Sequence, residues 1–186
     1  MHNIECEKKY LITNLTANDL KTTNKKDIEQ FYLDLRLGNL KKILSNIFDD
    51  IPEIISEARV RILNNSLAVL TLKSSGKLKR LEIEKNIDLN FANQLIKDYA
   101  ISKIEKDRYI LNIGKFALEI DFYQDRNLII GEVEFNPEIT PEIKIDELAK
   151  ESLLKLNKNV QILEVTNDAQ YKNVNLAKPV SYSNTI

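Results

Sequence analysis

Acidic and basic side chains alternate with apolar ones near the start of the chain. Within Ile4 to Tyr10, Glu5, Glu7 and Lys9 stand at every second position. Because successive side chains of a β-strand point to opposite faces, a strand would place these three together. Later segments repeat the pattern, with Glu57, Arg59 and Arg61; Arg80, Glu82 and Glu84; Lys106 and Arg108; Glu119 and Asp121; and Glu132 and Glu134. Such faces combine carboxylates, which suit hard divalent cations, with guanidinium groups, which suit phosphate oxygens.

Two interpretations of these charged faces are open. In the first, the charged side chains simply meet water, as on most half-exposed strands. In the second, they point inward, because the interleaved apolar residues need cover that amphipathic helices can provide from outside. The interleaved apolar residues are Val60, Ile62, Leu72, Leu81, Ile83, Ile120, Ile130 and Val133.

The inward interpretation requires the charges to be compensated. Two like charges at about 4 Å cost on the order of 4 kcal/mol at an effective dielectric of roughly 20. Clustered acids or clustered bases must therefore face partners or a ligand of opposite sign. A nucleotide or polyphosphate with its Mg²⁺ or Mn²⁺ would satisfy both sets at once. Neither a P-loop nor a Gly-x-Gly-x-x-Gly motif is present, so side chains would bind the phosphates.

Composition limits the possible chemistry. The 27 basic and 28 acidic residues nearly cancel, which gives no support for a nucleic-acid-binding surface. The single histidine, His2, excludes the usual Ser-His-Asp, Cys-His and histidine-metal sites, and the single cysteine, Cys6, excludes an internal disulfide. No apolar run approaches a membrane span and no secretory signal pattern is present, so we expect a soluble, cytoplasmic protein without membrane contact.

Hydrophobic periodicity predicts mostly strands with a few helices. The predicted strands cover 3–13, 29–35, 54–63, 67–73, 78–87, 102–113, 116–123 and 128–135. The predicted helices are a short one within 15–28 capped by Thr16 or Asn18, one over 38–51, one from Asn90 to Ala100 with Phe91, Leu95 and Ile96 buried, and one from Thr140-Pro141 to about Leu156. Tight turns are expected at 64–66 and 74–77.

This order of elements predicts an α+β, mainly antiparallel fold in a single domain covering 1–186. Two meanders of strands suggest an eight-stranded closed β-barrel with a charged lumen and with helices packed outside. A helical insertion is expected at about 36–53, and a C-terminal helical and tail segment at 140–186.

The charged motifs together resemble the CYTH superfamily, the triphosphate tunnel metalloenzymes. The N-terminal signature is Glu5-Cys6-Glu7-Lys8-Lys9. The motifs that follow it are Arg59-Val-Arg61, Leu72-Lys73, Arg80-Leu-Glu82-Ile-Glu84, Ile104 to Tyr109, Leu118 to Asp121, Gly131 to Glu134, and a tail with Val165 to Asp168, Tyr171, Asn173, Asn175 and Leu176. The resemblance covers nearly the whole chain. The helix predicted at 38–51 departs from compact bacterial members.

The resemblance implies a role for each charged face. Phosphate contacts would come from Lys9, Arg59, Arg61, Lys73, Lys106 and Arg108. One or two Mg²⁺ or Mn²⁺ ions would be held by Glu5, Glu7, Asp121, Glu132 and Glu134. Glu82 and Glu84 would contribute to metal binding, to water binding or to the orientation of the basic side chains. Arg80 either binds phosphate or pairs with an acid, and Tyr32 either lines the tunnel or packs as a core aromatic. The role of Glu119 stays open.

The activity implied by the resemblance is metal-dependent hydrolysis of a triphosphate-containing small molecule, with inorganic tripolyphosphate as the leading substrate. The catalytic set would be Glu5, Glu7, Lys9, Arg59, Arg61, Lys73 and Arg108. Alternatives are a class IV type adenylyl cyclase, a thiamine or nucleoside triphosphatase, and a non-catalytic polyphosphate or nucleotide sensor. The protein would act as a monomer or homodimer.

Overall fold

The computed structural model describes residues 3–49, 51, 54–74 and 80–180, with side chains from Cys6 onward and excluding that of Arg80. The strands are β1 (Asn3–Glu5), β2 (Glu7–Thr13), β3 (Asn24–Leu33), β4 (Ile55–Leu63), β5 (Leu67–Ser74), β6 (Arg80–Ile87), β7 (Ala100–Ile113), β8 (Phe116–Tyr123), β9 (Ile129–Glu134), β10 (Gln161–Glu164) and β11 (Lys178–Pro179). The α-helices are α1 (Gly38–Ile47), α2 (Leu89–Tyr99), α3 (Glu142–Leu156) and α4 (Asn173–Leu176), and short 3₁₀ helices cover Ala17–Leu20 and Ala169–Tyr171. None of the helices in these ranges is long and apolar enough to cross a membrane.

All strands join one curled antiparallel sheet. Its order is β1-β6-β5-β4-β3-β7-β8-β9-β2-β10, with β11 paired to β7. The segment Asn3–Thr13 contributes β1 at one end of this order, beside β6, and β2 near the other end, beside β9. The predicted antiparallel, mainly β class is confirmed, whereas the expected eight-stranded barrel is confirmed only as a curled sheet.

Alternation of side chains gives the sheet two unlike faces. We call the side that carries Lys9, Arg61 and Arg108 the charged face, and the side that carries Tyr10 and Val60 the helix face. Neighbouring strands keep the same alternation in register: Lys9 lies opposite Glu132, and Arg108 lies opposite Asp121. The motifs of Lys9, Arg61, Arg108, Asp121 and Glu132 are therefore brought to the charged face.

Two apolar cores lie on the helix face. Helices α1 and α2 pack on β4 and β5 through Leu40, Leu44, Ala92, Leu95, Tyr99, Val60, Leu70 and Leu72. Helix α3 packs on β2, β7, β8 and β9 through Ile145, Ala149, Leu153, Tyr10, Ile12, Tyr109, Ile120 and Val133. These residues are buried, which explains why the sheet can leave its other face polar.

A third, smaller core lies on the charged face itself. Ile104, Tyr123 and Ile130 form it, beneath Tyr171 and Leu176 from the C-terminal part of the chain. Ile130 was expected on the face covered by helices, and this assignment is wrong. It shares the alternation of Glu132, two residues further along β9.

Most predicted elements are present with shifted ends. The turn at 64–66 is confirmed, since Asn64 and Asn65 have φ of 49° and 53°, as a tight hairpin requires. The turn predicted at 74–77 lies mostly outside the described residues. Thr16 caps the first 3₁₀ helix. Strand β3 begins at Asn24, five residues earlier than expected, because it pairs with β7 beyond the reach of β4.

The start of α2 was predicted wrongly. Asp88, not Asn90, is its N-cap, and the Asp88 carboxylate accepts hydrogen bonds from the backbone N–H groups of Asn90 and Phe91. The buried face changes accordingly: Ala92 and Leu95 are buried, whereas Phe91 is exposed.

Candidate functional site

The charged face forms a compact polar cluster although its members are largely buried. Lys9, Lys73, Lys106, Arg59 and Arg108 are each at most 6% exposed. Groups this charged avoid the interior unless a partner of opposite sign or a ligand compensates them. The cluster divides into two regions, which we name by their dominant residues. The carboxylate half lies on β2, β7, β8 and β9, and the arginine half lies on β3, β4, β5 and β6.

Asp121 is the centre of the carboxylate half. Its carboxylate is fully buried and accepts hydrogen bonds from Arg108 Nε at 2.6 Å and Nη2 at 2.7 Å, and also from Lys106 Nζ. Arg108 in turn reaches Glu119 through Nη1 and Glu132 through Nη2, the latter at 3.1 Å. This geometry matches the charge-assisted forked pairing that arginine makes with carboxylates.

Lys9 completes the carboxylate half from β2. Its Nζ lies 2.5 Å from Glu132 Oε1 and 3.4 Å from Glu7 Oε1. Burial opposes charge on Lys9, but Glu132 and Glu7 outweigh it and raise the pKa of the ammonium. The neighbouring Lys8 points to the helix face, where Nζ contacts both oxygens of Asp146 on α3 at 2.9 and 2.8 Å. The predicted alternation is confirmed from Glu7 to Tyr10, whereas the side chain of Glu5 lies outside the described residues.

The pKa values of the carboxylate half follow from this pairing. Burial alone would raise the pKa of Asp121, but Arg108 and Lys106 lower it below the usual range. Glu132 behaves in the same way: burial opposes ionisation, and Lys9, Lys106 and Arg108 hold its pKa well below normal. Burial also lowers the pKa of Lys106 to about 8, only partly offset by Asp121.

The arginine half pairs its charges less completely. Arg59 Nη2 lies 3.1 Å from Glu82 Oε1, and Glu82 Oε2 also holds Lys73 Nζ at 2.6 Å. Arg59 Nε is buried and finds no hydrogen-bond partner within the part of the chain that the structure describes. Glu57 Oε1, at 3.6 Å from Arg59 Nη1, and Glu84 Oε1, at 3.9 Å from Nη2, form longer ion pairs with the same guanidinium group.

Arg61 is compensated least. Its Nε donates a long 3.5 Å hydrogen bond to the amide oxygen of Gln30, and it forms no ion pair with a carboxylate among the described residues. Burial and the like charges of Arg59 and Arg108 lower the pKa of Arg61 to about 10. It stays charged at neutral pH, so the face presents an uncompensated positive charge there.

Tyr32 and Gln30 support the arginines from β3. Gln30 is fully buried, and its amide nitrogen donates to the Tyr32 hydroxyl at 2.5 Å. Tyr32 is 3% exposed and lies opposite Arg59 in the strand register. Burial raises the pKa of its hydroxyl, so Tyr32 stays neutral.

Some predicted site residues stand apart from the buried cluster. Glu134 is exposed at the end of β9, and the side chain of Glu84 is about half-exposed, bonded to Thr71 Oγ1 at 2.7 Å. The side chains of Glu5 and Arg80 lie outside the described residues, although their backbones pair with each other. Over the described ranges, no three Asp, Glu, His or Cys side chains converge as metal ligands would.

Four residues of the site received no role from the sequence. Glu57 contacts Arg59, and Thr71 contacts Glu84. Tyr123 and Asn173 bond to each other at 2.5 Å beside Glu132. Glu57 stands in the alternating motif with Arg59 and Arg61. The period of two could also have placed Thr71 and Tyr123 on the charged face, because each lies two residues from a charged motif. Asn173 lies on a separate segment, and only tertiary structure brings it there.

Solved structures with the same arrangement of strands identify the fold. Two structures of protein NE1496, one of which names it an inorganic triphosphatase, match with TM-score 0.52 at 24% and 23% identity, covering 93% and 92% of this chain and 97% and 96% of the other. Protein PH1012 from Pyrococcus horikoshii OT3 matches with TM-score 0.51 at 16% identity over 84% of this chain and 94% of the other. The chain shares the fold of these proteins. No protein-family model matches the sequence, and no curated protein matches it significantly.

The fold shared with these structures is consistent with the two unlike faces of the sheet. It was predicted from the order of the charged motifs and is supported by the structural matches. At these identities the matches speak to the fold, and the roles of individual side chains must be argued from their own contacts.

Proposed function

We propose that this protein hydrolyses a triphosphate in a divalent-metal-dependent reaction, with inorganic tripolyphosphate as substrate and pyrophosphate and phosphate as products. In this proposal the curled sheet closes around the substrate as an eight-stranded tunnel, completed by the segment that contributes both β1 and β2. The neighbour NE1496 is itself named an inorganic triphosphatase. The observation that carries the proposal is the under-paired arginine half beside a region rich in buried carboxylates.

The arginine half would bind the phosphate chain. Arg61 lacks an anionic partner among the described residues, and Arg59 keeps a buried Nε without a hydrogen bond. A phosphate oxygen is an acceptor that a guanidinium group binds in a forked geometry. Lys73 would add a further positive charge from β5, at the cost of weakening its contact with Glu82. Arg80 and Lys106 stay in the proposed binding set.

The carboxylate half would hold the cation. Glu7 lies opposite Glu134, and Glu132 lies two residues along the same strand, so three carboxylates share one side of two paired strands. Oxygen-only donors of this kind fit Mg²⁺ or Mn²⁺. When bound, such an ion would neutralise phosphate charge and activate water. Glu5, Glu82, Glu84 and Asp121 belong to the proposed acidic set as well.

The chain's own bases would stabilise the reaction. Attack of water on a terminal phosphorus breaks one P–O–P bond and transfers charge to the nonbridging oxygens and the pyrophosphate leaving group. Lys9 and Arg108, both in the carboxylate half, would stabilise that charge. Fixed, buried cations stabilise such charge better than water does, because they need no reorganisation.

A panel of substrates tests the proposal. Tripolyphosphate, ATP and thiamine triphosphate would each be assayed with Mg²⁺ or Mn²⁺ for phosphate, pyrophosphate and cyclic AMP. We expect phosphate release from tripolyphosphate, and we expect Arg61→Ala to lower kcat/KM about 10²-fold. Arg36→Ala is the matched control, since that arginine is exposed and pairs with Asp34 away from the charged face.

The outcomes separate the reaction classes. Cyclic AMP and pyrophosphate from ATP would replace hydrolysis by the cyclase reaction. Binding of tripolyphosphate without any product under either metal would indicate a sensor. An equal loss of kcat/KM in the Arg61 and Arg36 variants would contradict the proposal that the arginine half binds the substrate.

A further inference from the structure

A C-terminal strap crosses one end of the charged face. We define it as residues 161–179, which begin with β10 and end with β11. Strand β10 pairs with β2 and β11 pairs with β7, whereas β9 and β8 lie between those two strands in the sheet. The strap must therefore pass over β9 and β8. Its contacts with Glu132 and Tyr123 show that it does so on the charged face.

The strap is fastened at both ends. At the β2 side, Val165 N–H donates to the Lys9 carbonyl at 2.8 Å, and Lys9 N–H donates to Thr166 Oγ1 at 3.0 Å. At the β7 side, Arg126 Nη2 donates to the Leu176 carbonyl at 2.7 Å, and Lys178 Nζ lies 2.7 Å from Asp125. These bonds fix the position of the residues between them.

The strap covers an apolar floor. Tyr171 and Leu176 pack on Ile104, Tyr123 and Ile130, the small core of the charged face. Both the floor and its cover are apolar. The base at the edge of the floor, Lys106, has its Nζ 5.7 Å from the centre of the Tyr123 ring and is already paired with Asp121, so the floor offers poor replacement for the water lost by a phosphate. A polyanion on the charged face therefore cannot continue beneath the strap.

Asn173 marks the boundary between this apolar region and the charged region. Its Oδ1 accepts a hydrogen bond from the Tyr123 hydroxyl at 2.5 Å, which directs Nδ2 toward Glu132 Oε1 at 3.4 Å. The same Glu132 oxygen receives Lys9 Nζ at 2.5 Å. At 3.4 Å the hydrogen bond from Asn173 to Glu132 is long and therefore weak, so an incoming acceptor at closer range would replace it.

We propose that the strap is a length stop for the bound phosphate chain, and that Asn173 is the specificity-determining residue that meets the end of that chain. This inference rests on the proposed function. A chain of three phosphates would end at the Asn173 amide, and a longer chain would have to displace the strap.

The test compares chain lengths. Tripolyphosphate, tetrapolyphosphate and long-chain polyphosphate would be measured for kcat/KM with Mg²⁺ and, independently, for binding by calorimetry without metal. We expect the unaltered protein to prefer tripolyphosphate by at least about 10-fold, a discrimination typical of one poorly accommodated group. Asn173→Ala and Leu176→Ala should each raise the ratio of tetrapolyphosphate to tripolyphosphate by a similar factor.

Asn175→Ala is the matched control. This residue is exposed on the same short helix and bonds only within the strap, to the Ala169 carbonyl at 2.7 Å. A general loss of strap stability would lower the use of all chain lengths together, whereas loss of the stop changes their ratio. An unchanged ratio in both the Asn173 and Leu176 variants, with tripolyphosphate still used, overturns the length stop alone. If the unaltered protein neither binds nor hydrolyses any of the three chains, the proposed function fails with it.

Discussion

The two halves of the charged face are built from the same residue types but differ in how they pair. In the carboxylate half, each buried base has an acid at hydrogen-bond distance, and Asp121 alone serves Lys106 and Arg108. In the arginine half, Arg61 reaches only an amide oxygen within the described residues, and Arg59 keeps an unbonded Nε. The buried bases of the carboxylate half are paired with acids in the absence of a ligand, whereas those of the arginine half are not all fully paired among the described residues.

This difference shows how a ligand site can be kept stable while empty. Buried ion pairs hold the carboxylate half together, and removal of one partner would leave a charge that the interior cannot solvate. The arginine half tolerates incomplete pairing because Arg61 is half-buried and retains access to solvent. Stability and anion binding are therefore assigned to neighbouring regions of one face.

The largest predicted effect separates the halves by stability. Asp121→Ala leaves Lys106 and Arg108 buried without their shared partner and should lower the free energy of unfolding by about 3–5 kcal/mol. Arg61→Ala should change it by less than about 1 kcal/mol, because it breaks no ion pair among the described residues. Urea unfolding of both variants measures the difference. Similar losses in the two would abolish the distinction.

An intermediate effect is expected from acid. The folded-state pKa values of Asp121 and Glu132 are depressed, so the stability they provide is complete above the unfolded carboxyl pKa of about 4 and is lost as the pH falls below it. Unfolding free energy should fall by on the order of 2 kcal/mol between about pH 5 and pH 3.

The control for this prediction uses one variant from each half. Arg61→Ala should keep the pH dependence of the unaltered protein, whereas Glu132→Gln should make it shallower. An unchanged pH dependence in Glu132→Gln would mean that other carboxylates dominate acid unfolding.

The smallest predicted effect concerns Tyr32, for which two roles were open. Its hydroxyl is buried and bonded to Gln30, which favours support of the arginines over contact with substrate. Tyr32→Phe should cost about 1 kcal/mol of unfolding free energy and change kcat/KM for tripolyphosphate less than about threefold. A loss near that of Arg61→Ala would instead assign Tyr32 to the binding site.

The sequence was sufficient to predict the faces but not the pairing. Period-two alternation placed Glu7, Lys9, Arg59 and Arg61 on one side, and the structure agrees. Which acid meets which base depends on the register between strands far apart in the chain, such as Lys9 opposite Glu132. Alternation alone carries no information on that register.

The sequence pattern did not predict two other features of the structure. Asp88 is the N-cap of helix α2 because its carboxylate accepts hydrogen bonds from two backbone N–H groups. Asn and Asp are equally good capping residues, so residue type alone did not distinguish Asp88 from Asn90. Asn173 reaches Glu132 only because β10 and β11 attach the strap on either side of β8 and β9. The first outcome depends on which of two neighbouring side chains reaches the backbone N–H groups, and the second depends on contacts that are distant in sequence.

The segment Asn3–Thr13 contributes strands near both ends of the strand order, and this affects how the chain folds. Its partners β6 and β9 are synthesised about 75 to 130 residues later. Contacts of such long sequence separation slow folding, and a strand that waits for them is exposed to wrong partners in the meantime. During synthesis on the ribosome, β1 and β2 emerge before the other strands of this sheet, and we expect them to be among the last to pair.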